Sequence, residues 1–263
     1  MKAVRAAAER LIQADASHTP CEPVRDLIGE VDQIAAYRVQ ELVTQTRLDS
    51  GRRIVGRKIG LTSRAVQAQL GVASPDYGAL LDDMAYADRE PIPLGRFLQP
   101  QVEAEVAFVL DDDLDVEMAN VADVIRATAF VLPAIEVVDS RIADWDIRVT
   151  DTIADNASGG AFVLGTTPRA LSEVDLPAIG MAIETADQVV SSGAGVACLG
   201  SPVAAVVWLA RTLAGQGVPL LAGDVILSGA LGPMVPVTAP GSFCARLSGL
   251  GQVSAVFTQG EDA

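Results

Sequence analysis

Lysine, histidine, cysteine and aromatic residues are all scarce in this chain of 263 residues, and several of these scarcities exclude a class of function. The one histidine, His18, falls in a polar N-terminal stretch, which argues against Ser-His or Cys-His nucleophilic catalysis. The three cysteines show no metal-site spacing and leave an odd thiol, which favours a reducing, cytoplasmic compartment. Basic residues number 19 against 34 acidic ones, a net charge of −15. Such a chain repels a phosphate backbone, so we expect no nucleic-acid partner.

The sequence also gives no sign of a leader or a membrane span. Lys2, Arg5 and Arg10 lie among N-terminal alanines without the apolar core of a signal peptide. We find no uncharged apolar stretch near the roughly 18 residues that a span needs. Half of the residues are nevertheless hydrophobic, which excludes disorder and predicts a packed core. We therefore expect a cytoplasmic protein without a membrane partner.

The periodic patterns predict an α+β protein in two parts. Residues 1–52 are expected to form a helical N-terminal segment that ends near Gly51, and residues 53–263 a mixed β domain. Apolar residues spaced three and four apart place one helix face at Val31, Ile34, Ala35, Val39, Leu42 and Val43. Strands are predicted at 53–60, 101–110, 134–138, 161–164, 176–184, 225–228 and 253–257. Helices are predicted at 63–70, near 121–131, and from 201 to before 215.

Two glutamates in the predicted strand 101–110 are the first candidates for chemistry. Alternation with period two puts Glu103 and Glu105 on one face, opposite a wholly apolar face. If their face is covered, two like charges lie in a poor solvent and must be paired or bound to a cation. The strand itself contains no lysine or arginine. The pattern therefore predicts either a cation site or an amphipathic edge strand with solvated glutamates.

A third carboxylate, Glu136, lies in the middle of the apolar strand 134–138. Together with Glu103 and Glu105 it would form an oxygen-only site without a histidine or thiolate nearby. Such a donor set suits a hard cation, Mg²⁺ or Mn²⁺, rather than zinc. The alternative is that Glu136 is buried for reasons unrelated to the other two.

Lys58 is one of only two lysines, against 17 arginines, so its choice in the strand 53–60 is unusual. A covered ammonium at this position would have a lowered pKa that suits proton transfer. The alternative is a lysine that extends its charged end from a strand terminus into water.

Two polar turns supply further candidates. Asp76 lies in Pro-Asp-Tyr-Gly, where it could act chemically or simply form a turn. Ser158 lies in Asp-Asn-Ala-Ser-Gly-Gly before an apolar strand, a place where small polar groups often contact a substrate. Turn chemistry explains this second segment equally well.

The residues around these candidates resemble the 2-hydroxypenta-2,4-dienoate (2-keto-4-pentenoate) hydratase family of the fumarylacetoacetate hydrolase-like superfamily. The resemblance runs in unbroken order from about residue 25 to residue 258. Its motifs in this chain are 56–63 (GRKIGLTS), 103–105 (EAE), 135–141 (IEVVDSR), 154–158 (ADNAS), 193–195 (GAG), 200–203 (GSPV) and 223–229 (GDVILSG).

The resemblance implies a mixed β-sheet roll or barrel and a divalent-metal-dependent lyase. It assigns the metal to Glu103, Glu105 and Glu136, a catalytic role to Lys58 and Asp76, and substrate binding to Ser158. The implied reaction hydrates 2-hydroxypenta-2,4-dienoate to 4-hydroxy-2-oxopentanoate through a metal-stabilised enolate. It further implies a homo-oligomer, a pentamer or decamer, acting in a meta-cleavage pathway beside an aldolase or decarboxylase.

Two alternatives remain open at this point. A 2-oxo-3-hexenedioate (4-oxalocrotonate) decarboxylase shares the fold, the metal carboxylates and the lysine. Residues 144–147 and 151–158, together with Trp208, resemble the hydratase version. A metal-free scaffold subunit is the non-enzyme alternative.

Overall fold

The computed structural model of the protein describes residues 1–63, 67, 74–186 and 188–260. The α-helices of this part are α1 (Lys2–Ser17), α2 (Arg25–Ile28), α3 (Gln33–Asp49), α4 (Val121–Ala127), α5 (Val149–Ala154) and α6 (Pro202–Ala214). The strands are β1 (Ile54–Gly60), β2 (Asp76–Leu81), β3 (Ala85–Ala87), β4 (Pro91–Pro93), β5 (Pro100–Leu110), β6 (Thr128–Asp139), β7 (Gly159–Leu164), β8 (Gly180–Thr185), β9 (Gln188–Ala194), β10 (Val225–Leu227), β11 (Val235–Pro236), β12 (Gly241–Leu247) and β13 (Gly251–Thr258). The helix predicted at 63–70 lies mostly outside the described residues.

The strands form two mixed sheets. The first has the order β2-β1-β10-β5-β6-β7-β3, with β11 also paired to β5, and the second has the order β4-β13-β12-β8-β9. The antiparallel pair of β5 and β6 is the longest ladder and places Glu103 directly opposite Glu136. Because β5 has a neighbour on each side, the interpretation of it as a solvated edge strand is wrong.

The two faces of β5 serve different purposes. Its apolar face, with Val102, Val106 and Phe108, is fully buried in a core shared with residues of the second sheet such as Ile183 and Ala245. Glu103 and Glu105 therefore project from the other face of the first sheet. The alternation in the sequence thus determines on which side of the sheet the candidate site lies.

The helical N-terminal segment packs beside this sheet. α1, α2 and α3 share an apolar cluster with α5 that includes Leu11, Val24 and Val39. The buried Gln40 side chain donates to the carbonyls of Tyr77 in β2 and Ile153 in α5, at 2.9 and 2.8 Å. The helical character of the segment is confirmed, and the boundary at residue 52 stays a prediction.

The helix face predicted in residues 31–43 is confirmed at Val39, beside which Ala35 and Val43 are partly buried, and is wrong at its other positions. Val31 precedes α3 and is 84% exposed, and Ile34 is 70% exposed. The buried residues of α3 are Ala36, Val39 and Gln40. Ala36 packs closely against its neighbours, and Gln40 makes two buried hydrogen bonds. These contacts determine which face of α3 turns inward, so they override the apolar pattern.

Several predicted boundaries also change. α4 ends at Ala127 because the chain enters β6 at Thr128, so the helix predicted near 121–131 is too long. The strand predicted at 176–184 begins as a 3₁₀ turn over Leu176–Ala178 and becomes extended only at Gly180. β2, β9 and β12 and the helix α5 were not predicted. β2 is buried along its whole length, so it lacks the alternation that identifies a half-buried strand.

Among the described residues, one stretch is long and apolar enough to cross a membrane by length and composition alone, although it contains Arg211 and is therefore not an uncharged stretch of the kind expected to be absent. Gly195–Ala214 spans 20 residues with a mean hydropathy of 1.6, which meets that test by length and composition. Its continuous α-helix is α6, however, which covers only the 13 residues from Pro202 onward. Ala205, Leu209 and Ala210 of α6 are completely buried in the protein core, which explains the hydrophobicity.

Candidate active site

Three carboxylates from β5 and β6 converge on the face of the first sheet that lies opposite the core shared with the second sheet. We call this face the inner face of the curled sheet. Each of Glu103, Glu105 and Glu136 offers an oxygen, and these oxygens all lie within 4.8 Å of one another. Glu105 and Glu136 are buried, whereas Glu103 keeps partial exposure. The structure therefore brings together the three residues predicted as metal ligands, with Glu103 on the solvent side.

Lys58 reaches the same cluster from β1. Its Nζ lies 3.0 Å from Glu136 Oε1, and it donates a hydrogen bond of 2.7 Å to the carbonyl of Ala157. Two strands, β10 and β5, separate β1 from β6 in the sheet, a distance of roughly 14 Å in a flat sheet. The contact is possible because the sheet curls and both side chains point inward. Lys58 is only 2% exposed, so the interpretation of a charge extending into water is wrong.

Asp76 opens β2 and is 1% exposed, so it is a buried strand residue rather than a surface turn former. Its Oδ2 accepts a hydrogen bond of 3.3 Å from Thr152, and its Oδ1 has no partner among the described residues. A Cβ on Gly60 would lie 2.2 Å from that Oδ1 and 3.7 Å from Lys58 Nζ. Gly60 therefore leaves the space that lets the carboxylate and the ammonium face one cavity.

Ser158 lies at the end of the turn that follows α5. It is buried, and its hydroxyl is 3.4 Å from Asp155 Oδ2, to which it donates. Asp155 is held in turn by Arg141, whose Nε donates to Oδ1 at 2.6 Å. Ala157, whose carbonyl binds Lys58, immediately precedes Ser158, so this turn contributes one contact to the site and one candidate for substrate binding.

The electrostatics of the carboxylates suit a cation site. Burial, together with the charge of Glu136, raises the pKa of Glu103 to about 7 and the pKa of Glu105 well above its usual value. Burial also raises the pKa of Asp76, against the opposing effect of Lys58. One ammonium cannot neutralise this group of acids, so the fold holds the carboxylates together at a cost in free energy.

The pKa of Lys58 moves in the opposite direction to the one predicted. Burial acts to lower it, but the charges of Glu136, Asp76, Glu103 and Glu105 outweigh burial and raise the pKa above its usual value. The prediction failed because it considered the desolvation of the lysine without the acids that curl toward it. Lys58 is therefore an ammonium at neutral pH in this arrangement.

The donor set fits a hard divalent cation. Glu105 Oε1 and both carboxylate oxygens of Glu136 are buried and accept no hydrogen bond within the described part of the chain. Glu136 Oε1 forms an ion pair with Lys58, but the angles at the two atoms do not meet those of a hydrogen bond. The other oxygen of Glu105 accepts from the backbone N–H of Gly229 at 2.7 Å, which orients the carboxylate. Buried carboxylate oxygens that accept no hydrogen bond, one carboxylate being oriented by a backbone N–H, suit Mg²⁺ or Mn²⁺ as ligands.

An apolar floor closes the inner face of the sheet beyond the carboxylates. It consists of Leu80, Ala107, Ala134, Phe162 and Leu227, each at most 2% exposed. Phe162 lies directly opposite Glu136, and Ala134 opposite Glu105. The site is therefore polar at its open end and filled by hydrocarbon at its closed end.

Sequence reasoning missed four residues that shape the site. Thr152 and Gly229 each bind a candidate carboxylate, and Gly60 makes room for one. Asn156 fastens its turn to β2, since its side chain exchanges two hydrogen bonds with the backbone of Ala79. In the sequence, only their positions within or beside the family motifs point to a role in the site. Their contacts join residues that are far apart in the chain, so they become visible only in the structure.

This arrangement of a curled mixed sheet with inward carboxylates and a lysine has a close structural counterpart. The 4-oxalocrotonate decarboxylase from Pseudomonas putida G7, complexed with magnesium and adipate, superposes with a TM-score of 0.92 and is 36% identical. The match covers 97% of each chain. The fold of this chain is thus that of a known class of enzymes.

Residues 55–258 match the model of the fumarylacetoacetate (FAA) hydrolase C-terminal family, and the chain belongs to this family. It is 58% identical over 257 residues to the TodF product hydratase of Pseudomonas putida, covering 98% of this chain and 96% of the relative. It is 53% identical to the 2-keto-4-pentenoate hydratase of Burkholderia vietnamiensis, covering 96% of each chain. The predicted family and fold class are confirmed.

Proposed function

We propose that the protein is a lyase that hydrates 2-hydroxypenta-2,4-dienoate (2-oxopent-4-enoate) to 4-hydroxy-2-oxopentanoate. The observation that carries the proposal is the buried trio of carboxylates beside Lys58 and Asp76, in a chain more than half identical to named hydratases. The trio would hold Mg²⁺ or Mn²⁺. When bound, this cation supplies positive charge that stabilises negative charge on the 2-oxygen of the substrate.

Lys58 and Asp76 divide the proton transfers in this proposal. Ketonisation of the dienol moves a proton to C5 and makes C4 electrophilic, after which water adds at C4 and a proton at C3. Lys58 is a buried ammonium beside Glu136 and is the proposed proton donor; the acids raise its pKa, and a cation held by the three glutamates would reduce that effect. Oδ1 of Asp76 has no hydrogen-bond partner among the described residues, and burial raises the pKa of the carboxyl, so Asp76 can orient the water and accept its proton.

Ser158 is proposed to bind the substrate. Its hydroxyl donates only a long hydrogen bond of 3.4 Å to Asp155 and retains acceptor capacity. Ser158 directly follows Ala157, whose carbonyl accepts the hydrogen bond from Lys58, so the two residues belong to the same turn beside the site. Ser158→Ala is therefore expected to raise KM more than it lowers kcat.

The sequence identities, and the absence of a second assigned cation beside the carboxylates in the described residues, favour the hydratase over the decarboxylase. A substrate with a second carboxylate needs a cation or donor cluster at its far end. Among the described residues, Lys58 is the cation that lowers the pKa values of Glu103 and Glu105, and the proposed reaction already uses it as a catalytic group. The sequence identities agree, since they are 58% and 53% to two hydratases and 36% to the decarboxylase.

Several broader properties form part of the proposal. Exposed apolar residues such as Val31, Met118 and Val189 support a homo-oligomer, for which we propose a pentamer or decamer. The described cysteines are all free thiols, which supports a cytoplasmic location. We place the enzyme in meta-cleavage catabolism of aromatic compounds, where it could associate with a pathway aldolase or decarboxylase. Residues 53–263 would form the catalytic domain and residues 1–52 its helical segment.

The decisive experiment supplies freshly generated 2-hydroxypenta-2,4-dienoate to the purified protein with MgCl₂, with MnCl₂, or with EDTA. We expect 4-hydroxy-2-oxopentanoate in the first two reactions and loss of turnover in the third. Parallel reactions with 2-oxo-3-hexenedioate monitor CO₂. Rapid CO₂ release without hydration would identify a decarboxylase. No turnover of either substrate and no bound metal would identify a scaffold subunit.

A further inference from the structure

The turn Asn156–Ser158 has a backbone conformation that ordinary side chains rarely adopt. Asn156, Ala157 and Ser158 have φ values of 58°, 50° and 52°, so three consecutive non-glycine residues are left-handed. L-residues visit this region mainly as single residues, and asparagine tolerates it best. Such a stretch persists only where surrounding contacts hold it, and it commonly marks a functional position.

The side chain of Asn156 supplies such contacts. Its Oδ1 accepts from the N–H of Ala79 at 2.7 Å, and its Nδ2 donates to the carbonyl of Ala79 at 2.9 Å. The carboxamide of Asn156 thus takes the place of the carbonyl and the N–H that a neighbouring strand would offer to Ala79. The turn and β2 are thereby joined as one unit.

The junction lies directly beside Lys58. Gly78 of β2 is the residue paired with Lys58 across the sheet, and a Cβ there would lie only 2.4 Å from the carbonyl oxygen of Asn156. The next carbonyl, that of Ala157, accepts the 2.7 Å hydrogen bond from Lys58 Nζ. The left-handed turn is what directs this carbonyl toward the ammonium rather than along a helix.

We propose that Asn156 is a positioning residue that places the Lys58 ammonium by fastening the turn to β2 and so aiming the Ala157 carbonyl at Nζ. The proposal rests on the proposed function, in which Lys58 is the proton donor. Asn156 also ties Lys58 to the strand that begins with Asp76, so one carboxamide sets the relation of the two groups that transfer protons. Asn156 itself is assigned no contact with the substrate.

The test compares Asn156→Gly with Asn120→Gly in the full-length, metal-loaded protein. Glycine retains the left-handed backbone without strain, so Asn156→Gly removes only the two side-chain bonds. Asn120 is the matched control, because its side chain also makes two hydrogen bonds with the backbone, both as an acceptor, at the exposed start of α4. If Asn156→Gly fails to fold, Asn156→Asp takes its place, since it keeps the acceptor for Ala79 N–H and loses the donor.

We expect Asn156→Gly to lower kcat per folded, metal-loaded site by at least tenfold, toward the roughly hundredfold that a misplacement of 1 Å can cost. KM and the Kd for Mn²⁺ should stay within about threefold of the parent values. Asn120→Gly should change none of these quantities. A kcat per folded site within twofold of the parent in Asn156→Gly would overturn the proposal and leave Asn156 a merely structural residue.

A spectroscopic readout separates this proposal from the proposed function. The chain contains two lysines, so protein labelled with ¹³C-lysine gives one side-chain signal set for Lys58 and one for Lys2. Asn156→Gly should shift the Lys58 Cε signal and leave the Lys2 signal in place, whereas Asn120→Gly should shift neither. If the Lys58 Cε signal shifts in a protein that shows no hydratase activity, the positioning role of Asn156 is upheld and only the proposed reaction is rejected. An unmoved Lys58 signal would reject the positioning role even in an active hydratase.

Discussion

Replacing Glu105 with glutamine should have opposite effects on the ion-free and the metal-loaded protein. Two ionised carboxylates within 4.8 Å of each other repel by at least about 3 kcal/mol at an effective dielectric constant near 20. Glutamine is isosteric and uncharged, and its carbonyl oxygen can still accept the hydrogen bond from Gly229 N–H. At pH 8, Glu105→Gln should therefore make the ion-free protein as stable as the parent or more stable, by up to several degrees in Tm.

The same substitution should remove most of the affinity for the cation. We expect the Kd for Mn²⁺, measured by calorimetry, to rise at least a hundredfold, and the increase in Tm on adding MgCl₂ to disappear. Glu117→Gln is the control, because it removes one exposed carboxylate outside the site. A variant that is strongly destabilised without metal, yet keeps the Mg²⁺-induced rise in Tm, would refute the assignment of Glu105 as a ligand.

Three further predictions concern the lysine, the acids and the floor. Lys58→Met should lower kcat by at least a hundredfold, because it removes the proposed proton donor. The Kd for Mn²⁺ should stay equal or fall, because the substitution removes a competing cation 3.0 Å from Glu136. Weaker metal binding by calorimetry would contradict this. The pKa of Glu103 rises to about 7 in the folded protein from an ordinary 4.5. Protonation of Glu103 therefore favours the folded state by an amount on the order of 3 kcal/mol, which is present below pH 4.5 and is lost as the pH rises through 7. The Mg²⁺-induced rise in Tm, measured by scanning fluorimetry, should therefore be larger at pH 8 than at pH 5.5, and an equal rise at both would count against this assignment. Phe162→Ala should lower the free energy of unfolding by about 3–5 kcal/mol in urea titrations, whereas a loss below 1 kcal/mol would show that the floor is not tightly packed.

The sequence predicts part of the arrangement of the candidate metal carboxylates because that part of their geometry is local. Period-two alternation places Glu103 and Glu105 on one face, and the apolar neighbours of Glu136 indicate that this residue is buried. Each of these inferences needs only one strand. The register that sets Glu103 opposite Glu136 is a property of the sheet, and only the structure reveals it.

The contacts of Lys58 and Asp76 could not be predicted in the same way. They depend on the curl of the sheet, which brings β1 toward β6 over two intervening strands. Without that curl, burial alone predicts a lowered pKa for Lys58, and Pro-Asp-Tyr-Gly predicts a surface turn. The resemblance to a family identified both residues, but their electrostatic environment required the fold.

The apolar floor restricts how substrate preference can change in this fold. Because Leu80, Phe162 and Leu227 fill the closed end, a longer ligand cannot extend inward past the carboxylates. Extra length or a second charged group must be accommodated at the open end, beyond Glu103. Adapting such a protein to a bulkier acid would therefore mean replacing residues around the entrance, while the inward-facing groups of the strands remain as they are.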